Sequence, residues 1–196
     1  MKQPLISLLA SALLLVGAAA QAQSAKDIVL DRVAAPVARP AAAPASNDAM
    51  AISVLIESPD GSLASKSTNS LFNTGDRFRI KLLASRTAKV SLYNTNPLGQ
   101  FNPKPMWQGE VKIGQETITP RLRLDGNSGV DYLHVVLEPE QAPQGVVAWI
   151  SSWLTKEGSE APKDIRLDSE NSPTTSYLVN QTGQGLVSTI RIVHRR

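Results

Sequence analysis

Residues 77–82 read Arg-Phe-Arg-Ile-Lys-Leu, in which apolar residues alternate with cations. This period of two is typical of a β-strand that turns one face to a hydrophobic core and the other face to solvent. Residues 88–93, Ala-Lys-Val-Ser-Leu-Tyr, show the same alternation after a short break. Both stretches therefore predict strands of a β-sheet domain.

Comparable strand patterns continue along the chain, with turn residues such as Pro59-Asp60-Gly61 between them. The predicted strands cover residues 52–57, 77–82, 88–93, 118–124, 130–137, 146–154, 174–179 and 186–193. Pro120 has no backbone donor, so we expect its strand at a sheet edge or a bulge, whereas the continuous apolar run at 130–137 is typical of a central strand. Because the strands are short and unequal and no amphipathic helix is predicted, the pattern favours an all-β sandwich of about eight strands over a closed barrel.

The first 22 residues have the pattern of a secretory signal peptide. Lys2 precedes an apolar run at 5–20, and Ala20-Gln21-Ala22 provides the small residues that signal peptidase requires. The alternative, an uncleaved membrane anchor, needs roughly 20 apolar residues, and this run is shorter. We predict a cleaved signal peptide at 1–22, periplasmic or secreted localisation, and no membrane span after cleavage.

A linker follows a short tethered segment at residues 23–33. Eleven of the sixteen residues at 34–49 are Ala or Pro, and the repeated prolines prevent a helix from propagating. We predict an extended, semi-rigid linker there and a β-sandwich domain at 50–196. The apolar island at 28–33 is interpreted either as a docking segment, as an additional strand, or as a disordered N-terminus.

Composition excludes several functional classes. The chain of 196 residues has 20 Lys+Arg, 17 Asp+Glu, two His and no Cys. Without cysteine there is no disulfide framework, thiolate metal site or cysteine nucleophile. The small positive excess is not the charge pattern of a nucleic-acid-binding protein. We expect no cofactor, no metal and no nucleic-acid partner.

The strand at 77–82 is preceded by Phe72-Asn73-Thr74-Gly75-Asp76. This stretch resembles the Phe-x-x-Gly-Asp motif of a bacterial domain of unknown function, which occurs in exported proteins and behind caspase-like peptidase domains. The resemblance covers about residues 71–139 and implies an immunoglobulin-like sandwich without established catalytic residues. The chain departs from the family at Thr87-Ala88, where Gly-Tyr is common, and carries no peptidase domain.

The motif also has a purely structural interpretation. Phe72 has the size to close one end of a sandwich, and Gly75 permits a left-handed turn. The carboxylate of Asp76 is suited to accept backbone amides at the start of the strand.

Three tryptophans are candidate binding residues. Trp149 and Trp153 share one face of a strand or helix and are interpreted either as core residues or as a platform for a sugar ring or a peptide. Trp107 belongs to a Pro-rich aromatic stretch at 101–107, which we predict to be an exposed contact loop or a lid over the core.

Two strands carry stripes of cations. Arg77, Arg79 and Lys81 line one predicted face, and Arg121 and Arg123 line another. In one sheet the two stripes would form a basic surface for an acidic protein or an anionic envelope polymer. The alternative is a solvated face that discourages edge pairing.

Evidence for catalysis is weak. On a regular strand His134 and Asp131 project to opposite faces and cannot pair, and no nucleophile-elbow motif is present. His194 next to the terminal Arg195 and Arg196 is interpreted as part of a solvated basic end.

From these observations we predict a non-catalytic exported module that binds another protein, an accessory of a cell-envelope or secretion assembly. The first alternative is a carbohydrate- or peptidoglycan-binding module that uses Trp149 and Trp153. The second is a hydrolase, in which His134 would be the base.

Overall fold

The computed structural model describes residues 48–139, 170–171, 174–180 and 185–196, together with single positions at 26 and 148. The predicted signal peptide, the tethered segment and the strand at 146–154 lie outside the continuously described residues. None of the described segments contains a helix with the length and apolar character needed to cross a bilayer.

The described residues form twelve β-strands. They are β1 (Asp48–Glu57), β2 (Leu63–Lys66), β3 (Phe72–Asn73), β4 (Arg77–Ala84), β5 (Ala88–Thr95), β6 (Phe101–Val111), β7 (Thr117–Ile118), β8 (Leu122–Arg123), β9 (Gly129–Leu137), β10 (Glu170–Asn171), β11 (Thr175–Asn180) and β12 (Leu186–Arg195). Strand β1 begins two residues before the predicted start of the domain at residue 50, so the linker prediction extends slightly too far.

These strands form two sheets. Sheet A has the order β10-β11-β1-β4-β7, with β2 also paired to β1 and β8 also paired to β4. Sheet B has the order β3-β12-β9-β5-β6. The predicted central position of the run at 130–137 is confirmed, because β9 lies between β12 and β5.

The core lies between the two sheets. Alternate residues of β4, from Phe78 to Ala84, are buried, as the period-two pattern predicts. The main core residues of the two sheets are Met50, Ile52, Val54, Phe78, Ile80, Leu82, Val90, Leu92, Leu133, Val135, Leu137, Ile190 and Ile192. The prediction of an all-β sandwich is confirmed, and the immunoglobulin-like topology stays a prediction.

The predicted strand at 118–124 is divided into β7 and β8, and both pair with β4 at the edge of sheet A. Lys81 pairs with Ile118 and Phe78 pairs with Leu122, so one extra residue lies on the β7–β8 side. An extra residue moves the side chains on its two sides to opposite faces of the sheet. Ile118 therefore shares the outer face with Lys81 and is exposed, although the alternation predicted a common face for Ile118 and Leu122. Pro120 lies in this break, and its predicted edge position is confirmed.

The prediction of a loop or lid at 101–107 is wrong, because these residues belong to β6. Pro103 and Pro105 cannot donate to a ladder, but β6 is the edge strand of sheet B, where a missing donor is tolerated. The pairing with β5 also shifts between Leu92 and Asn94, which leaves the proline segment outside the regular register. Proline therefore marks an irregular edge strand here rather than a loop.

Candidate functional site

Strand β6 is the longest free edge among the described strands. It has 11 residues and pairs with β5 on one side. The strands at the other ends of the two sheet orders, β3, β7 and β10, have two residues each, as does β8. A free edge presents unpaired backbone N–H and C=O groups, so β6 offers a site where another strand can add to this sandwich.

The hydrogen-bonding direction along β6 follows from the other side of β5. The Glu138 N–H donates to the Lys89 carbonyl at 2.9 Å, so the backbone of Lys89 faces β9. The backbone groups of successive residues in an antiparallel strand point to opposite neighbouring strands. Val90, the next residue, therefore points to β6, where its register partner is Gly109. Gly109 faces back to β5, and its neighbours Gln108 and Glu110 present their N–H and C=O groups at the free edge.

Prolines protect only the first half of this edge. Pro103 and Pro105 remove donors near the start of β6, whereas the stretch from Met106 to Val111 contains none. Trp107 is half-buried against the core, and its indole covers Gly109 so closely that a Cβ at Gly109 would overlap the ring. The second half of β6 therefore has an open backbone edge and a rigid aromatic inner wall.

An open groove of about 390 Å³ runs beside this half of the edge. Its lining residues are Thr87, Ala88, Lys89, Gln108, Gly109 and Glu110. Lys89 and Glu110 give the groove one charge of each sign, one on β5 and one on β6.

A smaller cavity of about 120 Å³ lies between the sheets near the other end of the edge. Met106 contributes one wall, Leu122 and Ile192 contribute apolar surface, and Asn94 and Asp131 contribute polar groups. The volume is far below the roughly 300–1,000 Å³ of pockets for drug-sized ligands. The cavity has room for a few waters or one small group.

Asp131 belongs to a chain of buried polar side chains at this end. Its Oδ1 accepts a hydrogen bond from Asn94 Nδ2 at 3.1 Å, and its Oδ2 lies 2.8 Å from His194 Nε2. His194 Nδ1 lies 3.1 Å from Thr74 Oγ1. Burial raises the pKa of the Asp131 carboxyl, and the charge of Asp125 acts in the same direction, while the hydrogen bond from His194 opposes the rise.

The order Thr74–His194–Asp131 has the composition of a nucleophile, a base and an orienting acid. Catalysis of acyl transfer also needs free amides for the oxyanion. In this turn the amide of Thr74 donates to the Arg195 carbonyl, Gly75 donates to Leu124, and Asp76 donates to Asn73. The imidazole of His194 is itself fully buried. This geometry favours a structural role, in which the hydrogen-bonded side chains from Asn94 to Thr74 fasten β3, β5, β9 and β12 together.

The interpretation of His194 as part of a solvated basic end is wrong. His194 lies in β12 opposite Gly129 and is 2% exposed. Sequence reasoning missed its pairing with Asp131 because 63 residues separate them. One signal was present: Asp131 has the same strand parity as Leu133 and Val135, which places its carboxyl on the core face.

His134 lies on the opposite face of β9 from Asp131, as the strand parity predicts. Its Nε2 is 2.9 Å from Thr95 Oγ1, and its Nδ1 is 2.9 Å from Thr189 Oγ1. Hydroxyl groups donate and accept, so either neutral tautomer is satisfied. Burial lowers the pKa of His134 to about 4, which keeps the imidazole neutral at physiological pH.

The cationic stripes lie on the outer face of sheet A, but most of their charge is paired. Glu57 forms ion pairs with Arg79 and Arg121, and Lys81 Nζ lies 3.0 Å from Glu116. The hydrogen bond from Arg121 lowers the pKa of Glu57 and correspondingly raises the pKa of Arg121. Arg77 and Arg123 have no ion pair within the part of the chain that the structure describes, and they lie directly opposite each other.

The remaining sequence candidates have these positions. Phe72 is fully buried in the core, and Gly75 has a φ of 97° in the turn before β4. Asp76 Oδ2 accepts a hydrogen bond from the Asn73 amide at 2.9 Å. Trp149 and Trp153 lie outside the described residues. Among the described residues, no three His, Cys, Asp or Glu side chains are grouped so that they could hold a metal ion.

Comparisons of the chain with protein-family models, with curated proteins and with solved structures gave no significant match. The resemblance carried by the Phe-x-x-Gly-Asp motif therefore stays a prediction.

Proposed function

We propose that this protein is a non-catalytic exported module that binds a partner protein by adding an extended segment of that partner to the free edge of β6. The observation that carries the proposal is the backbone of Gln108 and Glu110, whose N–H and C=O groups are directed away from β5. Edge-strand addition derives its affinity from such main-chain groups and its specificity from the neighbouring side-chain sites.

The groove beside the edge supports the same proposal. Lys89 and Glu110 lie on the outer face, next to the position that an added strand would occupy. Trp107 and the cavity lie on the inner side. An added strand has alternating side chains, so it would contact both surfaces.

A role in an accessory of a cell-envelope or secretion assembly fits the predicted signal peptide and the linker at 34–49. The linker would hold the sandwich at a distance from whatever the segment at 23–33 contacts. In this proposal the sandwich and the tether have separable tasks, the first in binding the segment and the second in location.

Mapping of the bound segment tests the proposal. A photo-crosslinking amino acid replaces Gln108 in the full chain, and crosslinked peptides from an envelope extract are identified by mass spectrometry. We expect one recurrent extended segment, which is then synthesised and titrated against the purified protein. Crosslinks scattered over unrelated proteins, with no segment that binds after synthesis, would contradict strand addition at this edge.

A pair of variants then isolates the main-chain contribution. Glu110→Pro and Glu110→Ala both remove the same side chain, but only proline also removes the outward N–H. We expect the proline variant to bind the segment about fivefold more weakly than the alanine variant, since a net hydrogen bond contributes about 1 kcal/mol. Equal affinities of the two variants would show that the edge amide is not used.

A chain that starts at Asn47 tests the tether separately. It retains β1 to β12 and lacks the tethered segment and the linker. We expect its affinity for the synthetic segment to equal that of the longer chain, whereas capture from the extract decreases if the tether contributes. Loss of segment binding in the shorter chain would show that the binding site includes residues outside the sandwich.

A further inference from the structure

The outer face of sheet A contains two arginines that form no ion pair with any described residue. Arg77 of β4 and Arg123 of β8 are partners in the strand register and therefore share one face. Both side chains are exposed. Like charges directly opposite each other destabilise a sheet, so this cross-strand pair is unfavourable.

Two nearby carboxylates, Glu57 and Asp76, are engaged elsewhere. Glu57 is the β1 partner of Arg77 in the register, but its two oxygens pair with Arg79 and Arg121. Asp76 precedes Arg77 in the chain and lies 3.8 Å from Lys66 Nζ. The two unpaired guanidinium groups therefore face solvent beside carboxylates that are already occupied.

Asp125 follows Arg123 by two residues and forms no ion pair within the described part of the chain. Its charge acts on Asp131, which lies on the core side. Arg77 and Arg123, as partners in the register, together carry two positive charges and ten N–H donors on one face of the sheet.

We propose that Arg77 and Arg123 form a binding site for a tetrahedral, doubly charged oxyanion, a phosphate or sulfate group. One guanidinium already matches a planar carboxylate in a bidentate pair. Two guanidinium groups side by side match an anion with two charges and oxygens in several directions. Bound phosphate would also remove the repulsion between the two arginines, so the same charges that destabilise the free sheet become the source of affinity.

The site is independent of the β6 edge. Arg77 and Arg123 lie on the outer face of sheet A, whereas the proposed strand addition occurs at the edge of sheet B. Loss of one activity therefore leaves the other intact, and the two proposals fail separately.

The probes are inorganic phosphate and glycerol phosphate, titrated into the full ¹⁵N-labelled mature chain at constant ionic strength with sodium chloride as the balancing salt. We expect saturable shifts of the amide resonances of Arg77 and Arg123 with inorganic phosphate. Binding of glycerol phosphate as well would show that the site accepts the group on a larger molecule, and binding of inorganic phosphate alone would limit it to the free ion. Shifts that chloride reproduces, or acetate that binds as tightly as phosphate, would overturn the proposal.

Three variants assign the effect to the pair. Arg77→Gln and Arg123→Gln should each weaken phosphate binding about tenfold, because each removes charged hydrogen bonds. Arg191, an exposed arginine on β12 of the other sheet, provides the matched control, and Arg191→Gln should leave the affinity unchanged. If Arg191→Gln weakens phosphate binding equally, the binding depends only on the net charge of the protein and the proposal is wrong.

Arg123→Glu adds a readout that does not depend on a ligand. It replaces a like-charged cross-strand pair by an opposite pair, so we expect the thermal midpoint to rise by about 2–4 °C while phosphate binding disappears. A variant that still binds phosphate would overturn the proposal. Because both residues are exposed, none of these substitutions disturbs the core.

Discussion

Buried charged groups close both ends of the sandwich, but the two ends are satisfied in different ways. At the start of β1, Asp48 accepts hydrogen bonds from Arg86 Nε at 2.5 Å and from the Gly185 amide at 2.9 Å. Arg86 also donates to the Glu138 carbonyl at 2.7 Å. These contacts join β1, β9, β12 and the β4–β5 turn, and they consist of an ion pair supported by backbone.

At the other end, the buried polar groups bond to other side chains rather than to backbone groups. Asp131, His194 and Thr74 form its polar chain, and beside it lie a cavity and two arginines that have no ion pair among the described residues. Both ends therefore fasten strands together, and the His194 end also has a cavity and a pair of exposed arginines beside it. We call them the Asp48 end and the His194 end below.

The largest expected effect is at the Asp48 end. Asp48→Ala would leave Arg86 without its carboxylate and would remove the acceptor of the Gly185 amide. Loss of one partner of a buried ion pair costs about 3–5 kcal/mol, so we expect the free energy of unfolding in a urea titration to fall by about this amount. Lys81→Ala breaks the exposed pair with Glu116 and provides the control, with an expected loss below about 1 kcal/mol.

A result in which both variants lose equally little would contradict the comparison. It would mean that the Asp48 pair contributes no more than an exposed pair, and that packing alone closes that end.

A pH titration of stability addresses the polar network midway between the two ends. The pKa of His134 is lowered to about 4 by burial, from 6.5 in the unfolded chain. Between these values the unfolded chain binds a proton at this imidazole that the folded chain does not, so the free energy of unfolding falls as the pH falls from 6.5 to 4. The full contribution is about 3 kcal/mol.

The raised pKa of Asp131 acts in the opposite direction, because the folded chain then binds a proton before the unfolded chain does. The difference in the free energy of unfolding between wild type and His134→Asn, measured across this pH range, isolates the contribution of the histidine. We expect the variant to show a flatter stability profile between pH 6.5 and 4. Parallel profiles for the two proteins would exclude His134 as the source of acid sensitivity.

Local periodicity was sufficient to predict the architecture and insufficient to predict the sites. The alternation in β4 predicts its core face because each residue decides its own side of the strand. Pairing between Asp131 and His194 depends on which strands become neighbours, and that is decided by the whole core. Strand parity with Leu133 and Val135 was a signal that Asp131 faces the core, but no local pattern indicated its partner.

The same distinction explains the error at β6 and the result for the basic stripes. Prolines at 103 and 105 were interpreted as a loop, since the sequence does not reveal that this strand is an edge. The basic stripes were recognised, but only the side-chain contacts of the folded sheets show that Glu57 pairs with Arg79 and Arg121, while Arg77 and Arg123 have no ion pair among the described residues. Edge position and cross-strand partners are properties of the assembled sheets.

Two glycines give an intermediate test of the comparison. Gly185 at the Asp48 end has a φ of 83°, and a Cβ there would lie 2.8 Å from the Leu137 carbonyl oxygen. Gly75 at the His194 end has a φ of 97°, but a Cβ there meets nothing within 4 Å. Left-handed backbone costs an ordinary residue about 1–2 kcal/mol in either place, and the backbone clash is added only at Gly185.

We therefore expect Gly185→Ala to lower the free energy of unfolding by about 2–4 kcal/mol and Gly75→Ala by about 1–2 kcal/mol. Urea titrations of both variants under the same conditions measure the difference. The reverse order would show that the His194 end is the more tightly packed of the two.

The smallest expected effect is at the hydroxyl that ends the His194 chain. Thr74→Val keeps the shape of the side chain and removes the partner of His194 Nδ1, which leaves a buried ring nitrogen without its hydrogen bond. That loss costs about 1–3 kcal/mol, less if water reaches the half-buried position of Thr74. Thr117→Val, at the half-buried start of β7, is the matched control for the loss of a hydroxyl from a strand-forming residue, and we expect it to change stability by less than about 0.5 kcal/mol. If both variants behave alike, the hydrogen bond to His194 does not stabilise the fold, and the chain from Asn94 to Thr74 effectively ends at the Asp131–His194 pair. A selective loss in Thr74→Val would instead establish that the His194 end is fastened through its side chains, as the Asp48 end is fastened through its ion pair.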